Sequence, residues 1–311
     1  MEIGIIGRSE LTYETMLLLK ENGYSISFIV TSKESKEHKY TSNNFKEFAK
    51  DNNIPFLHDP KIDSTKIKAL LGSNKKPLIC ISVNYSGIIS EEVIDLFELG
   101  ILNAHGGDLP KYRGNACQAW AIINNEKKIG LCVHKMIGGE LDSGPIMDRK
   151  FFNLNLDTRI GEVYKWVNSS VPSMMLKVIN ALCNNKDYVL EHQSKNPKKA
   201  LRTYPRLPED GKIDWTCNRE DIIRLINASS EPFSGAFTYL QNEKVIIWRA
   251  KIFDDDENYL AIPGQVLSVN LKSKNIIVSA ANGKIEITDI QVEERRCQPA
   301  DLIKSIRKRL K

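Results

Sequence analysis

The sequence predicts an α/β protein: a Rossmann-like, mostly parallel sheet with helices on both faces, followed by a small β-rich, barrel-like domain of the OB-like kind. Three observations carry this. Apolar strand-like runs alternate with helical stretches over residues 1–105, the pattern of a parallel sheet. Residues 196–216 are rich in Pro, Lys and polar side chains and read as a linker. Beyond them, one β-type run follows another. The expected division is a first domain over 1–195, a linker over 196–216 and a β-rich domain over 217–311.

Taken in order, "EIGIIG" is a short buried strand, and "SELTYETMLLLKENG" carries Leu11, Met16, Leu18 and Leu19 on a helical face, with Gly23 as its stop. "YSISFIVTS" is a second strand, and "NNFKEFAKDNNIP" a helix broken by Asn53 and Pro55. "DSTKIKALLGS" is a helix with Asp63 or Ser64 as N-cap. "PLICISV" is apolar throughout, as strands buried on both faces are, and "SEEVIDLFELG" is a capped helix ended by Gly100. "ILNAH" and "GLCVHKMI" are further strands. "NREDIIRLINASS" is a helix in the second half. After it come "GAFTYL", "KVIIWRAKIF", "GQVLSVNL", "NIIVSA" and "KIEITDI", the last two joined by a turn on Asn282-Gly283.

A chain of 311 residues with 41% apolar and 27% charged side chains has the composition of an ordinary globular protein. It holds no run of about 18 apolar residues that could span a bilayer. The start "MEIGIIG" has an acidic second residue and no basic region, so a secretion signal is not expected and a cytoplasmic location is. The six cysteines lie far apart without a CxxC pair, which predicts neither disulfides nor a metal site. The net charge of +5 is mild, and much of it sits in the tail "RRCQPADLIKSIRKRLK", read as a solvated amphipathic helix.

The stretch "ILNAHGGDLPKYRGNACQAW" points to a site. Side chains alternate faces along a strand, so Asn103 and His105 project the same way at a strand end, next to a glycine turn. Ligands of open α/β sheets bind at the carboxyl ends of strands. "VNYSGIIS" and "GGELDSG" also follow strands, so Asn84, Asn103, His105 and Asp142 should lie at one edge. Together Asn103, His105 and Asp142 suit group transfer to an amine: His105 to take the proton, Asn103 to donate to the oxyanion, Asp142 to fix the imidazole. A lone histidine at a strand end is also an ordinary structural residue, and Asp142 an ordinary turn residue, and spacing leaves both readings open. His134 lies inside a strand without such surroundings and reads as structural; His38, His58 and His192 read as exposed, and Trp120 as core. A dinucleotide site is set aside: Gly4 and Gly7 lack the G-x-G-x-x-G spacing, and no acidic residue ends "FIVTS".

The segment "NAHGGDLPKYRGNACQAWAIINNEKKIGLCVHKMIGGELDSGPIM" resembles the core of the formyltetrahydrofolate-dependent formyltransferases. Asn103-x-His105, the loop Leu109 to Gly114 and the turn Leu141 to Gly144 occur in that family's order. "RLPEDGKIDW" and "EPFSGAFTYL" resemble the linker and C-terminal entry of two-domain members. The resemblance implies His105 as general base, Asn103 as the group polarising the formyl oxygen and Asp142 as the partner of His105. It implies 10-formyltetrahydrofolate as co-substrate, no metal, and a pterin site on Asn84, Tyr85, Ile88, Gly138, Gly139 and Leu141.

Members acting on tRNA carry His-Pro-Ser-Leu-Leu-Pro where this chain has His-Gly-Gly-Asp-Leu-Pro. No basic insertion suited to an acceptor stem is present, and "FDDDENY" would repel a phosphate backbone. "YPRLPEDGKIDW" and "PFSGAF" resemble members that modify amino sugars carried on a nucleoside diphosphate, so the resemblance implies such an acceptor, of the kind used in surface polysaccharide biosynthesis, with Lys111, Tyr112 and Arg113 expected near its pyrophosphate. The alternatives are a methionyl-tRNA formyltransferase and a non-catalytic folate- or nucleotide-binding module. Edge strands of the β-rich domain offer a pairing surface for a homodimer.

Overall fold

The computed structural model describes residues 1–35, 38–72 and 77–311. They form two compact units: one of Met1–Gly114, Ile129–Phe152 and Lys165–Thr203, the other of Asn115–Lys128, Asn153–Tyr164 and Tyr204–Lys311.

The first unit is built on a seven-stranded sheet. Its elements are β1 (Glu2–Gly7), α1 (Ser9–Glu21), β2 (Ser25–Thr31), α2 (Ser42–Asp51), β3 (Phe56–His58), α3 (Ser64–Leu71), β4 (Ile79–Val83), α4 (Glu91–Ile94) and β5 (Ile101–His105). A two-residue β6 (Arg113–Gly114), then β7 (Lys128–Lys135), β8 (Ile146–Asn153) and most of α6 (Ile160–Asn184) complete it, and β9 (Arg202–Thr203) pairs with β6; α5 (Cys117–Ile123) and the first turn of α6 fall in the second unit. The strand order is β3-β2-β1-β4-β5-β7-β8. β1 to β5 run parallel, and their apolar runs explain why: every residue of β4 is buried, as a strand covered on both faces must be. Ile6, Phe28, Val30, Cys80 and Ile101 bring these strands into one core with Ile67 of α3 and Val93 of α4. Asp63 caps α3 as expected, accepting the Lys66 amide at 2.8 Å.

β7 departs from the expected parallel order. It runs antiparallel to β5, with Asn103 opposite His134 and His105 opposite Cys132. The loop after it therefore leaves beside Ile101, whose carbonyl accepts the Met136 amide, and has to fold back to reach His105. The helix expected over "SEEVIDLFELG" is one turn, α4, followed by turns up to Gly100 at φ 76°.

The second unit holds α7 (Arg219–Ser229), β10 (Ala236–Leu240), β11 (Glu243–Phe253), β12 (Val266–Val269), β13 (Ile276–Ala280), β14 (Gly283–Val292), β15 (Arg295–Cys297) and α8 (Pro299–Leu302). The antiparallel order is β10-β11-β14-β13-β12, with β15 also on β14. Ile222, Ile226, Ile247, Ile276, Ile285 and Ile287 are among its core residues. Ala280 pairs with Gly283, so the hairpin turn is Ala281-Asn282, one residue earlier than expected. The tail is not an amphipathic helix. Pro299 starts a single turn of helix, and Arg309 and Leu310 bridge to Gln265 and Leu240, where Leu310 is buried. An apolar side chain and two backbone pairings to Tyr239 hold residues 309–311 against the sheet. Trp120 is half-buried, not core: its Nε1–H donates to Tyr204 O at 2.9 Å and Arg206 lies over its ring. Among the described residues no helix is long and apolar enough to cross a membrane.

Candidate active site

β5 delivers Asn103 and His105 to one face, as strand alternation requires. Asn103 Nδ2 donates one N–H to Ser82 O at 2.9 Å on the neighbouring β4, which fixes the amide and leaves its second N–H for another acceptor. His105 is buried, with Nε2 2.6 Å from Tyr112 O. A carbonyl can only accept, so Nε2 carries a proton there and Nδ1 is the remaining nitrogen. Nδ1 faces Asp142 Oδ2 at 3.5 Å.

Asp142 sits in the left-handed region at φ 48°. Its Oδ2 accepts the Gly114 amide at 2.8 Å, and its Oδ1 lies 3.6 Å from His134 Nε2. Burial alone would push this carboxyl up. The His134 contact, the charge of His105 and the Gly114 amide outweigh it and hold the group at about 2. Asp142 is therefore ionised at neutral pH, with a histidine against each oxygen.

His134 thus differs from the sequence reading. It is buried inside a strand, but antiparallel pairing sets it opposite Asn103 and so on the same face, with its ring centroid 6.3 Å from that of His105. The sequence could show its place in the strand but not the register across the sheet. A second residue the sequence reading missed is Gln193. Its Nε2 donates to Asp142 O and to Gly144 O, both at 2.8 Å, and its Oε1 accepts from Arg113 at 2.7 Å. It lies in a polar stretch, "EHQSKNP", that carries no motif.

Arg113, expected near a pyrophosphate, is half-buried with Nη2 on Gln193. The Tyr112 side chain, expected there too, is 2% exposed at φ 58°, and what the residue presents to the site is its carbonyl, on His105. Lys111 is exposed. The loop carrying these residues is clamped from behind by Arg149, which donates to Asp108 at 2.6 Å and to Leu109 O at 2.9 Å.

The two loops expected to hold a pterin meet. A Cβ on Gly138 would stand 2.3 Å from Glu91 Cβ, so only glycine lets the loop after β7 close on α4. Asn84 is at φ 54°, with its carbonyl accepting from Arg8 and its Nδ2 donating to Ser9 at 3.3 Å. Tyr85 turns inward: its hydroxyl donates to Asp59 O at 2.5 Å, and burial, with the nearby Asp59 charge, pushes it up to about 12. Ile88 does the opposite and is 92% exposed, while Leu141 is 45% exposed, and Gly139 is exposed at φ 72°.

Residues 5–179 match the family model described as "Formyl transferase", and residues 207–307 match "Formyl transferase, C-terminal domain". Among curated relatives, the bifunctional polymyxin resistance protein ArnA of Wigglesworthia glossinidia brevipalpis is 28% identical over 303 residues, which are 94% of this chain and 43% of that protein. The methionyl-tRNA formyltransferase of Ruminiclostridium cellulolyticum is 28% identical over 310 residues, covering 98% of this chain and 96% of that one. Among solved structures, the N-formyltransferase from Helicobacter canadensis, in complex with folinic acid and dTDP-3-aminofucose, has the same fold. It has a TM-score of 0.68 at 18% identity, covering 94% of this chain and 99% of that one. HypX from Aquifex aeolicus in complex with tetrahydrofolic acid gives a TM-score of 0.64 at 17% identity, and this chain covers 98% of its own length but 47% of HypX. The chain thus spans under half of ArnA and HypX but nearly all of the other two. With both family models matched in chain order, this chain belongs to the formyl transferase family.

Proposed function

We propose that the chain moves a formyl group from 10-formyltetrahydrofolate to the amine of an amino sugar carried on a nucleoside diphosphate. The observation that carries the reading is the convergence of Asn103, His105 and an ionised Asp142, with Nδ1 and Oδ2 3.5 Å apart. The folate fits the residues present. Ile88, Ile137 and Leu141 leave apolar side chains exposed on two loops that Gly138 joins, a surface suited to a flat ring. When bound, the folate supplies the formyl carbonyl on which the amine acts. Asn103, with one N–H fixed on Ser82 O, would donate its second N–H to the carbonyl oxygen, an interaction worth roughly 3 kcal/mol when preorganised. His105 takes the proton lost by the amine at Nδ1, and Asp142 faces that nitrogen and stabilises the imidazolium. As the amine nitrogen bonds to the formyl carbon, the bond from that carbon to the folate nitrogen would break and the proton held by His105 would go to the departing nitrogen, giving an N-formyl amine and tetrahydrofolate.

Two features favour a sugar nucleotide over tRNA. A serine in place of Gly107, as in the tRNA-acting pattern, would set its Cβ 2.3 Å from Tyr112 O and 2.7 Å from His105 Nε2. The loop is closed more tightly than that pattern allows. The stretch 254–257 is acidic; Asp254 pairs with Arg219, and Asp255 and Glu257 share Lys284, so the stretch with its two partners stays net negative and opposes a phosphate backbone. Lys111, exposed on the loop beside the site, is the candidate for the pyrophosphate. The second reading, a methionyl-tRNA formyltransferase, is favoured by the match along 96% of the R. cellulolyticum enzyme.

A mass-spectrometric screen tests this. The protein is incubated with 10-formyltetrahydrofolate and a set of uridine- and thymidine-diphosphate amino sugars, with charged initiator tRNA alongside. A formyl mass gain on a sugar nucleotide, lost in His105→Ala, is the expected result. Formylation of the tRNA alone would put the second reading in its place. Folate binding without product would indicate a binding module.

A further inference from the structure

We propose that His134 is a positioning residue for the reaction: it holds Asp142 by its second oxygen, so that the first stays on His105. The inference rests on the formyl-transfer reading of this site. Three observations carry it. The pairing of Asn103 with His134 across β5 and β7 fixes the ring on the reacting face. His134 Nδ1 donates to Lys135 O at 2.9 Å, which sets the ring's orientation and leaves Nε2 as the nitrogen turned inward; to hold the carboxylate through Nε2–H as well, the ring carries both protons, an imidazolium beside Asp142. Nε2 is buried without a hydrogen bond in the ordinary range, and it faces Asp142 Oδ1 at 3.6 Å. A polar nitrogen sealed in a strand is costly unless it has work to do, and an apolar side chain would fill the place at lower cost.

The carboxylate shows what the work is. Asp142 receives His105 and the Gly114 amide on Oδ2, and its backbone carbonyl is tied to Gln193. Among these contacts only His134 addresses Oδ1. Without it the carboxylate can rotate about its last bond, and the oxygen presented to His105 is no longer fixed. His134 does not reach the reacting atoms itself and acts through Asp142 alone.

His134→Leu and His134→Phe test this, with circular dichroism to check the fold and His134→Gln as the variant that keeps a donor near the Nε2 position. The first readout, the 13C titration of the Asp142 carboxyl, uses the protein without substrates and so stands whether or not any acceptor is formylated. In the apolar variants its midpoint should rise from about 2 toward the ordinary carboxylate range. The second readout is the split between kcat and KM. In the apolar variants kcat should fall about tenfold with KM for the acceptor unchanged, while His134→Gln stays within about threefold of wild type. A folded apolar variant with wild-type kcat and an unmoved carboxyl would overturn the proposal. So would a His134→Gln variant as impaired as the apolar ones, since packing alone would then explain the loss. If neither apolar variant folds, the 15N spectrum of the wild-type ring decides. A proton on Nε2 while Asp142 is ionised supports the proposal, and a bare Nε2 overturns it.

Discussion

Asp142 ties the charge of the site to the stability of the fold. Its carboxyl titrates at about 2 in the folded chain against an ordinary 3.8, because His134, His105 and the Gly114 amide outweigh burial. A depressed folded value means that the stabilisation is complete above pH 4 and is lost as the pH falls toward 2. The shift corresponds to about 2 kcal/mol. Asp142→Asn is the right comparison, since asparagine also tolerates the left-handed backbone at φ 48° and the difference then reads charge. Urea unfolding should show wild type ahead of Asp142→Asn by about 2 kcal/mol at pH 6. The gap should close between pH 4 and pH 2, and a gap that stays constant across that window would show that the carboxylate is not held by these partners.

At the scale of elements, the loop between β5 and β6 sets the site by close approach. Tyr112 O lies within bonding reach of His105 Nε2, and Gly107 leaves no room for a side chain between them. Gly107→Ser should push the Tyr112 carbonyl off the imidazole and lower kcat/KM for the formyl acceptor by roughly tenfold or more, as a 1 Å displacement at a reacting group does. Steady-state kinetics with unchanged far-UV circular dichroism would check it, and full activity would show the loop to be more yielding than its geometry. Asn103 and His105 were legible in the sequence because strand alternation is local, and Asp142 because its turn carries a motif. His134 was not, because its place opposite Asn103 is a matter of register between β5 and β7. Nor was the direction of β7: its apolar run, "IGLCV", reads the same in a parallel or an antiparallel strand. The three residues of β3 and the mixed pattern of β8, "IMDRKFFN", gave no periodic signal. The tail was misread because its charges have helical spacing, while Leu310 is what anchors it.

For the whole molecule, the second unit reaches beyond the C-terminal segment. It includes residues 115–128 and 153–164, and these are bound to its core. Arg159 donates to Glu231 at 2.7 Å and to Trp248 O at 2.9 Å, and Asn227 donates to Leu156 O at 2.8 Å. A fragment of residues 217–311 would lose these partners and leave Asn227, which is buried, with an unmet amide. Its thermal unfolding by circular dichroism should therefore lack the cooperative transition of the intact chain. A sharp transition at the intact chain's midpoint would mean that those segments contribute little.

The loop that carries Asp142 is anchored by Gln193 on two carbonyls, by Gly138 against Glu91, and by Gly144, where a Cβ would stand 1.9 Å from Lys135 O. A loop tied in this way surrenders its conformational entropy when the chain folds, not when a ligand arrives. The cost of ordering it is thus already met before binding, and the affinity for a ligand seated against it is not diminished by that term.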